Sequence, residues 1–127
     1  MVEVRYCSRG GNTKKLALAI AEEKNVKALS ISDAKTEDVI DLLFIGGALY
    51  AYGIDQELKL YLDTLDKNKV KKAVVFSTSW ISKHAIKLIK NALVSKGIEV
   101  VDEFIYARGN PNEKELANAK AIAKKYN

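Results

Sequence analysis

Blocks of continuous apolar residues alternate with amphipathic segments along the chain, and this alternation predicts strands that are followed by helices. Apolar blocks cover residues 2–7, 41–47 and 73–77. Uninterrupted hydrophobicity is typical of strands that are buried on both faces, as in the centre of a parallel sheet. The blocks at residues 41–47 and 73–77 are therefore predicted to be central strands.

Two less regular segments complete the predicted sheet. Residues 26–31 form a short apolar strand, and residues 98–106 form a strand whose three carboxylates favour an edge position. The polar residues 32–38, between the second and third strands, have room for one or two helical turns. The chain thus supplies five strands.

Apolar residues at helical spacing predict four helices. Their inward-facing residues are Leu16, Ala17, Ile20 and Ala21 in the first; Ile54, Leu58, Leu62 and Leu65 in the second; Ala85, Ile86, Ile89 and Leu93 in the third; and Leu116, Ala119 and Ala123 in the fourth. Gly97 is expected to end the third helix. Asn110 is expected to cap the fourth, with Pro111 in its first turn.

Strands that alternate with helices through right-handed crossovers predict an α/β fold. We expect a doubly wound, five-stranded parallel sheet of order 2-1-3-4-5, with helices on both faces and one domain spanning residues 1–127. In such sheets ligands bind beyond the carboxyl ends of the strands, where the winding reverses. That point lies between the first and third strands.

The loops predicted at this edge differ in chemistry. Residues 8–13 form a polar, glycine-bearing turn that brings backbone N–H groups, hydroxyls and a helix N-terminus together, which suits a phosphate. The loops after the third and fourth strands carry Tyr50, Tyr52 and Trp80, whose flat rings can enclose an aromatic ring. Together the three loops predict a pocket for a phosphorylated aromatic cofactor.

The composition of the chain argues against several classes of function. The chain has 127 residues, 48% of them hydrophobic, which is enough for one compact core. The net charge is +5, but the lysines are scattered along helix faces without interleaved aromatics, so we expect no nucleic-acid partner. With one cysteine and one histidine, neither a disulfide nor a metal site is expected.

No basic and apolar leader precedes the first strand, and no apolar run approaches the roughly 20 residues of a membrane span. The sequence therefore predicts a cytoplasmic protein without membrane contact.

Residues 4–20 resemble the FMN-phosphate signature of flavodoxins, in which an apolar strand leads into a hydroxyl residue and Gly-Asn-Thr. Residues 44–53 resemble the family's loop after the third strand, and residues 76–80 resemble its second flavin-flanking loop. The last strand lacks a long insertion, as in short-chain flavodoxins. The resemblance extends over nearly the whole chain.

The resemblance implies FMN as the cofactor. The residues it places around FMN are Ser8, Arg9, Gly10, Gly11, Asn12 and Thr13 at the phosphate, Ala48, Leu49, Tyr50, Ala51, Tyr52 and Gly53 in the first flanking loop, and Ser77, Thr78, Ser79 and Trp80 in the second. By this resemblance Tyr50 or Tyr52 would face one side of the isoalloxazine and Trp80 the other. Gly53 matches the glycine beside flavin N5, whose peptide flip stabilises the neutral semiquinone.

The same resemblance implies a monomeric, non-enzymatic carrier of single electrons. Flavodoxins are generally acidic, whereas this chain is basic, so we expect redox partners with acidic docking surfaces and a less negative hydroquinone/semiquinone potential. Gly10 stands where many members have Thr, and Arg9 is expected to compensate for the missing hydroxyl. Arg5 interrupts the first strand, where we expect a surface arginine or a second anion contact.

Three other functions are also compatible with the sequence. One is a flavin-dependent oxidoreductase that acts directly on a small substrate or a quinone. Another is a sugar phosphotransferase component phosphorylated on Cys7, whose thiol pKa would be lowered by the helix N-terminus. The third is a domain of this fold that has lost FMN.

Overall fold

A computed structural model describes residues 1–34 and 39–127, and in them a parallel sheet carries helices on both faces. The strands are β1 (Val2–Cys7), β2 (Ala28–Ser30), β3 (Ile40–Tyr50), β4 (Gly53–Ile54), β5 (Val70–Thr78), β6 (Glu99–Val100) and β7 (Ile105–Ala107). The helices are α1 (Asn12–Lys24), α2 (Gln56–Asp63), α3 (His84–Ser95) and α4 (Glu113–Lys124). The α/β class is as predicted.

The strand order is β2-β1-β3-β5-β6, and all of these neighbours pair in parallel. β7 also pairs in parallel with β5, so β6 and β7 share the edge beyond it. Counting those two pieces as one strand, and leaving out the short β4, which pairs only with β3, gives the predicted order 2-1-3-4-5. The doubly wound topology is therefore confirmed.

The predicted edge strand at residues 98–106 is broken in the structure, because its middle leaves the sheet. Val101 still donates a backbone hydrogen bond to Ala73, but Asp102 and Glu103 turn towards solvent. Glu103 there accepts hydrogen bonds from Lys125 and Tyr126 near the end of the chain. Because these carboxylates are solvated or paired at the surface, the middle of the segment does not pair with β5.

The stretch predicted as a loop at residues 48–53 is largely a β-hairpin. β3 runs on to Tyr50 and turns back into β4, which pairs antiparallel with it through Leu49–Ile54 and Tyr50–Gly53. As a result Ile54 lies in a strand, and α2 begins at Gln56 after its N-cap Asp55.

Other predicted boundaries also shift. Asn112, and not Asn110, caps α4 in a capping box with Glu115, so Pro111 precedes the helix. β2 is shorter than predicted. The predicted turns at residues 32–38 fall partly outside the described residues. Gly97 has a φ of 81° and ends α3 as expected.

The core forms one apolar cluster on each face of the sheet. On one face Leu43, Ile45 and Val75 pack with residues of α2 and α3, and on the other Phe44 and Phe76 pack with residues of α1 and α4. No helix among residues 1–34 and 39–127 is long and apolar enough to cross a membrane.

Arg5 lies inside the first of these clusters, with 1% of its side chain exposed. Its guanidinium donates to the Tyr61 hydroxyl at 2.5 Å and to the Glu3 carboxylate at 3.1 Å. The expectation of a surface arginine was wrong. The Tyr61 hydroxyl on α2 and the Glu3 carboxylate on β1 accept the hydrogen bonds that water would accept from an exposed arginine. A buried charge is tolerated only with such partners.

Replacing Tyr61 by Phe is expected to reduce the free energy of unfolding by about 1–3 kcal/mol, because a buried charged donor loses its acceptor. Chemical denaturation measures this loss. The matched control is Tyr126→Phe, whose hydroxyl donates to Glu103 near the surface and whose loss should cost less. An equal or smaller effect of Tyr61→Phe would show that Arg5 does not depend on this hydrogen bond.

Candidate functional site

The central strands end level with one another at one edge of the sheet. Cys7 pairs with Gly47, Gly47 with Ser77, and Ser77 with Tyr106. Because these strands are parallel and in register, the segments that follow them are brought together at this edge.

The turn after β1 presents the N-terminus of α1. Gly11 occupies its N-cap position with a φ of 92°, a conformation that suits glycine, and donates its N–H to Ser8 Oγ at 3.1 Å. Asp55 and Asn112 cap α2 and α4 with their side chains, whereas no described side chain caps α1. The N–H groups of its first turn therefore face outward without an intrahelical partner.

Thr13, in the first turn of α1, is held by a residue from β5. Its hydroxyl lies 2.6 Å from that of Thr78, and both side chains are buried. A hydroxyl pair uses only one of its two hydrogens for the mutual bond, so the second hydrogen can be donated to a ligand. The contact also fixes the turn after β1 against the end of β5.

A cavity of about 180 Å³ opens at this point. The predicted site residues that line it are Ser8, Arg9, Gly10, Asn12, Thr13, Ala48, Leu49, Tyr50, Thr78, Ser79 and Trp80. Residues from all three predicted loops thus meet around one space. Gly109, which was not among the predicted site residues, also lines it.

The other predicted site residues lie elsewhere. Ala51, Tyr52 and Gly53 line a neighbouring cavity of about 740 Å³, and Gly11 supports the turn from outside the smaller cavity. Ser77 is fully buried, and its hydroxyl has no hydrogen-bond partner among the described residues. Gly53 has a φ of 112°, and a Cβ there would lie 3.7 Å from Leu88.

The aromatic residues have distinct settings. The rings of Tyr50 and Tyr52 stack with centroids 5.7 Å apart. Trp80 is 67% exposed, and its indole lies directly against Gly109, where an added Cβ would come within 2.0 Å of the ring. The Arg108 guanidinium lies 5.8 Å from the indole centroid. The only sequence signal for this contact is the turn composition of residues 108–111.

The Arg9 side chain interacts with two other residues of the protein. Its Nε donates to Asp55 Oδ2 at 2.5 Å, and its guanidinium lies 5.6 Å from the centre of the Tyr50 ring. This hydrogen bond is the main reason why the pKa of Asp55 is lowered. Asp55 Oδ1 meanwhile accepts from the Glu57 N–H. The Arg9 side chain therefore joins the turn after β1 to the beginning of α2, and is not directed at the turn's own N–H groups.

Cys7 is buried at the end of β1, and burial, followed by the nearby Asp55, raises the pKa of its thiol to about 11. Ligand atoms of Cys7, Asp55 and Glu57 lie within 4.8 Å of one another. Because Asp55 already pairs with Arg9 and the thiol keeps its proton at neutral pH, this cluster does not favour a metal ion. The absence of a metal stays a prediction.

The donor set fits a phosphate group. Uncapped N–H groups at a helix N-terminus attract anions, and the Thr13–Thr78 pair adds a hydroxyl donor. Apart from the adjoining residues, no atom of residues 1–34 and 39–127 lies within 4 Å of the position of a Cβ on Gly10 or Gly11, so a ligand can approach this backbone closely. Tyr50 and Trp80 supply flat surfaces in the same cavity.

Comparisons with known proteins agree with this architecture. A family model described as a flavodoxin domain matches residues 3–114. A flavodoxin from the domain Archaea is 25% identical, with a TM-score of 0.89 over 98% of this chain and 94% of that chain. Flavodoxin 1 from Bacillus cereus is 19% identical, with a TM-score of 0.80 over 96% of this chain and 93% of that one.

A third solved structure belongs to a larger protein. Rubredoxin oxygen:oxidoreductase from Desulfovibrio gigas is 17% identical, with a TM-score of 0.85, and the match covers 97% of this chain but 34% of that one. No curated protein sequence matches the chain significantly.

The pairing of Arg9 with Asp55 predicts a component of acid sensitivity. A carboxyl whose folded-state pKa is lowered stabilises the fold above its unfolded pKa of about 3.9, and this contribution is lost as the pH falls through the folded value. The free energy of unfolding should therefore fall less steeply below about pH 4 in Asp55→Asn, which keeps the side-chain oxygen that caps α2.

Denaturation curves between pH 7 and pH 3 measure this difference. Arg9→Gln removes the same ion pair from the other side and should flatten the profile similarly. A profile unchanged in both variants would contradict the assignment.

Proposed function

This chain belongs to the flavodoxin family, and we propose that it binds FMN and carries electrons one at a time between redox partner proteins. The observation that supports this most is one cavity in which the uncapped N-terminus of α1 and the Thr13–Thr78 pair meet Tyr50 and Trp80. When bound, FMN would supply the redox chemistry. The chain's own residues would hold and orient it.

The phosphate would be held mainly by neutral groups. The N–H groups in the first turn of α1, which begins at Asn12, carry the partial positive charge of the helix terminus, and the N–H groups of Arg9 and Gly10 lie in the turn just before it. The spare hydroxyl hydrogen of the Thr13–Thr78 pair adds a donor. Arg9 would contribute its charge at a distance while remaining bonded to Asp55. Ser8 supports the turn by accepting the Gly11 N–H.

The flavin ring would lie against Tyr50 and Trp80. Both side chains line the same cavity as the phosphate donors, and Gly109 limits how far Trp80 can move away. Aromatic faces of this kind exclude water from a bound ring and bind its apolar surface. The exposure of Trp80 would keep one edge of the site accessible to a partner.

The surroundings of the site favour acidic partners. Lys15, Lys83 and Arg108 are exposed around the loops of the cavity, whereas Asp55 is buried beneath Arg9. A basic rim attracts an acidic docking surface and speeds encounter at low ionic strength. We further propose that the protein is a monomer and works in the cytoplasm.

The alternative that uses Cys7 as a phosphate carrier has little support. Attack on a phosphoryl group requires an accessible thiolate. Cys7 is 6% exposed, and its pKa is raised to about 11.

The proposal is tested by adding FMN to the protein and following the visible spectrum during anaerobic stepwise reduction. We expect FMN to remain bound through gel filtration. Two one-electron stages should be resolved, and the second potential should be less negative than in acidic flavodoxins because cations surround the site. Loss of the flavin on the column would overturn the cofactor assignment, and reduction in one two-electron stage would overturn the carrier role.

Gly10→Thr is expected to strengthen FMN binding about three- to tenfold, because the added hydroxyl can donate to the phosphate and the space around Gly10 is open. Quenching of flavin fluorescence measures the dissociation constant. Gly10→Val has nearly the same shape without the hydroxyl and should bring no gain. Riboflavin, which lacks the phosphate, should bind all three proteins equally, and a gain for riboflavin too would place the effect away from the phosphate.

A further inference from the structure

Ser79, in the loop after β5, is held through three of its atoms. Its N–H donates to the Ala107 carbonyl at 3.2 Å, and its Oγ accepts the Ile81 N–H at 3.0 Å. Its carbonyl oxygen accepts a hydrogen bond from the Tyr106 hydroxyl at 2.5 Å. Of these three bonds, the third alone depends on a side chain from another element, β7.

Tyr106 lies outside the cofactor cavity. Its side chain packs against the apolar cluster that contains Val75, and it is not among the described residues that line the cavity. The Lys83 ammonium lies 5.4 Å from the centre of its ring, a distance at which a cation and an aromatic face attract each other. The ring is thus held by its own contacts, which leaves the hydroxyl as the group that reaches the loop.

The bond at Ser79 also affects Trp80, the next residue. A peptide unit is planar, so an anchor on the Ser79 carbonyl fixes the direction in which the chain enters Trp80. The Trp80 side chain lines the cavity but is 67% exposed, so packing in the core does not hold it. Contacts with Gly109 and Arg108 limit where the indole can go, and the anchored peptide sets where it starts.

We propose that Tyr106 is a positioning residue, whose hydroxyl holds the peptide between Ser79 and Trp80 so that Trp80 stays at the cavity wall before a ligand arrives. An exposed aromatic side chain that is already in place loses less conformational freedom when it covers a ring. Tyr106 thus strengthens binding without touching the ligand. The inference rests on the proposed function for the identity of that ligand, FMN, whereas the positioning itself is a property of the unliganded chain.

The test compares Tyr106→Phe, which keeps the ring and removes the hydroxyl, with Tyr126→Phe as the matched control. Tyr126 also donates its hydroxyl to a protein group, Glu103, but lies at the end of the chain after α4. Without FMN, nitrogen-15 relaxation measures the order parameter of the Trp80 amide, which reports motion on the picosecond to nanosecond timescale. We expect a fall of about 0.1–0.2 in Tyr106→Phe, from the value of about 0.85 that is typical of rigid backbone, and no change in the control. The Thr13 amide, in the first turn of α1, should change in neither variant.

Calorimetry then measures the affinities for FMN and for riboflavin. Tyr106→Phe should weaken both by the same factor, about three- to tenfold, because the effect arises at the ring and not at the phosphate. The control should bind both as the unaltered protein does. A merely structural role for Tyr106 would lower the free energy of unfolding and leave the affinities of the folded protein unchanged.

A double-variant cycle with Trp80→Ala tests whether the effect passes through Trp80. In protein that already lacks the indole, Tyr106→Phe should weaken riboflavin binding by less than about twofold. If Tyr106→Phe does not fold, Lys83→Met loosens the same ring from outside the cavity and should lower the Trp80 order parameter by a smaller amount.

Three results would overturn the proposal. They are an unchanged Trp80 order parameter in folded Tyr106→Phe, or in Lys83→Met where that variant replaces it, riboflavin affinity that the variant leaves unchanged, and a loss of affinity that is equally large without the indole. Failure of the unaltered protein to bind either FMN or riboflavin would defeat the proposed function instead, and the order parameter would still decide whether Tyr106 positions Trp80.

Discussion

The register of three parallel strands is the constraint on which the rest of the structure depends. Cys7, Gly47 and Ser77 lie side by side in neighbouring strands, so every chain segment that leaves the sheet at this edge begins at the same level. A shift of one residue would turn each side chain to the opposite face. The meeting of Thr13 with Thr78 requires this alignment, because one belongs to the helix after β1 and the other ends β5.

Two side-chain bonds then tie the loops of the site together. The Thr13–Thr78 pair joins the turn after β1 to the end of β5, and the Arg9–Asp55 pair joins the same turn to the beginning of α2. The turn that offers its N–H groups to an anion is thus anchored on both sides. Such anchoring places donors before a ligand arrives, which reduces the entropic cost of binding.

Much of the fold and part of the site could be predicted from the sequence. The continuous apolar blocks around Phe44 and Val75 identified the central strands, since short blocks of this composition are typical of strands buried on both faces. The hairpin from Tyr50 to Gly53 was taken for a loop, because its pairing depends on backbone hydrogen bonds that no residue pattern marks.

Other features depend on contacts between residues far apart in the chain. From the sequence, Arg5 is expected at the surface. In the structure it is buried because Tyr61, fifty-six positions later, supplies an acceptor inside the core. The pairing of Arg9 with Asp55, forty-six positions later, is likewise marked by no local pattern. Gly109 carries no motif at all, and its φ of 68° and the packed Trp80 ring together show why glycine is favoured there.

The position of Trp80 gives the protein a built-in optical reporter. The chain contains a single tryptophan, and that indole lies exposed at the wall of the cofactor cavity, between Gly109 and Arg108. When it is excited at wavelengths that the six tyrosines do not absorb, its emission arises from this one place. Ligand binding at the cavity can therefore be followed in unlabelled protein.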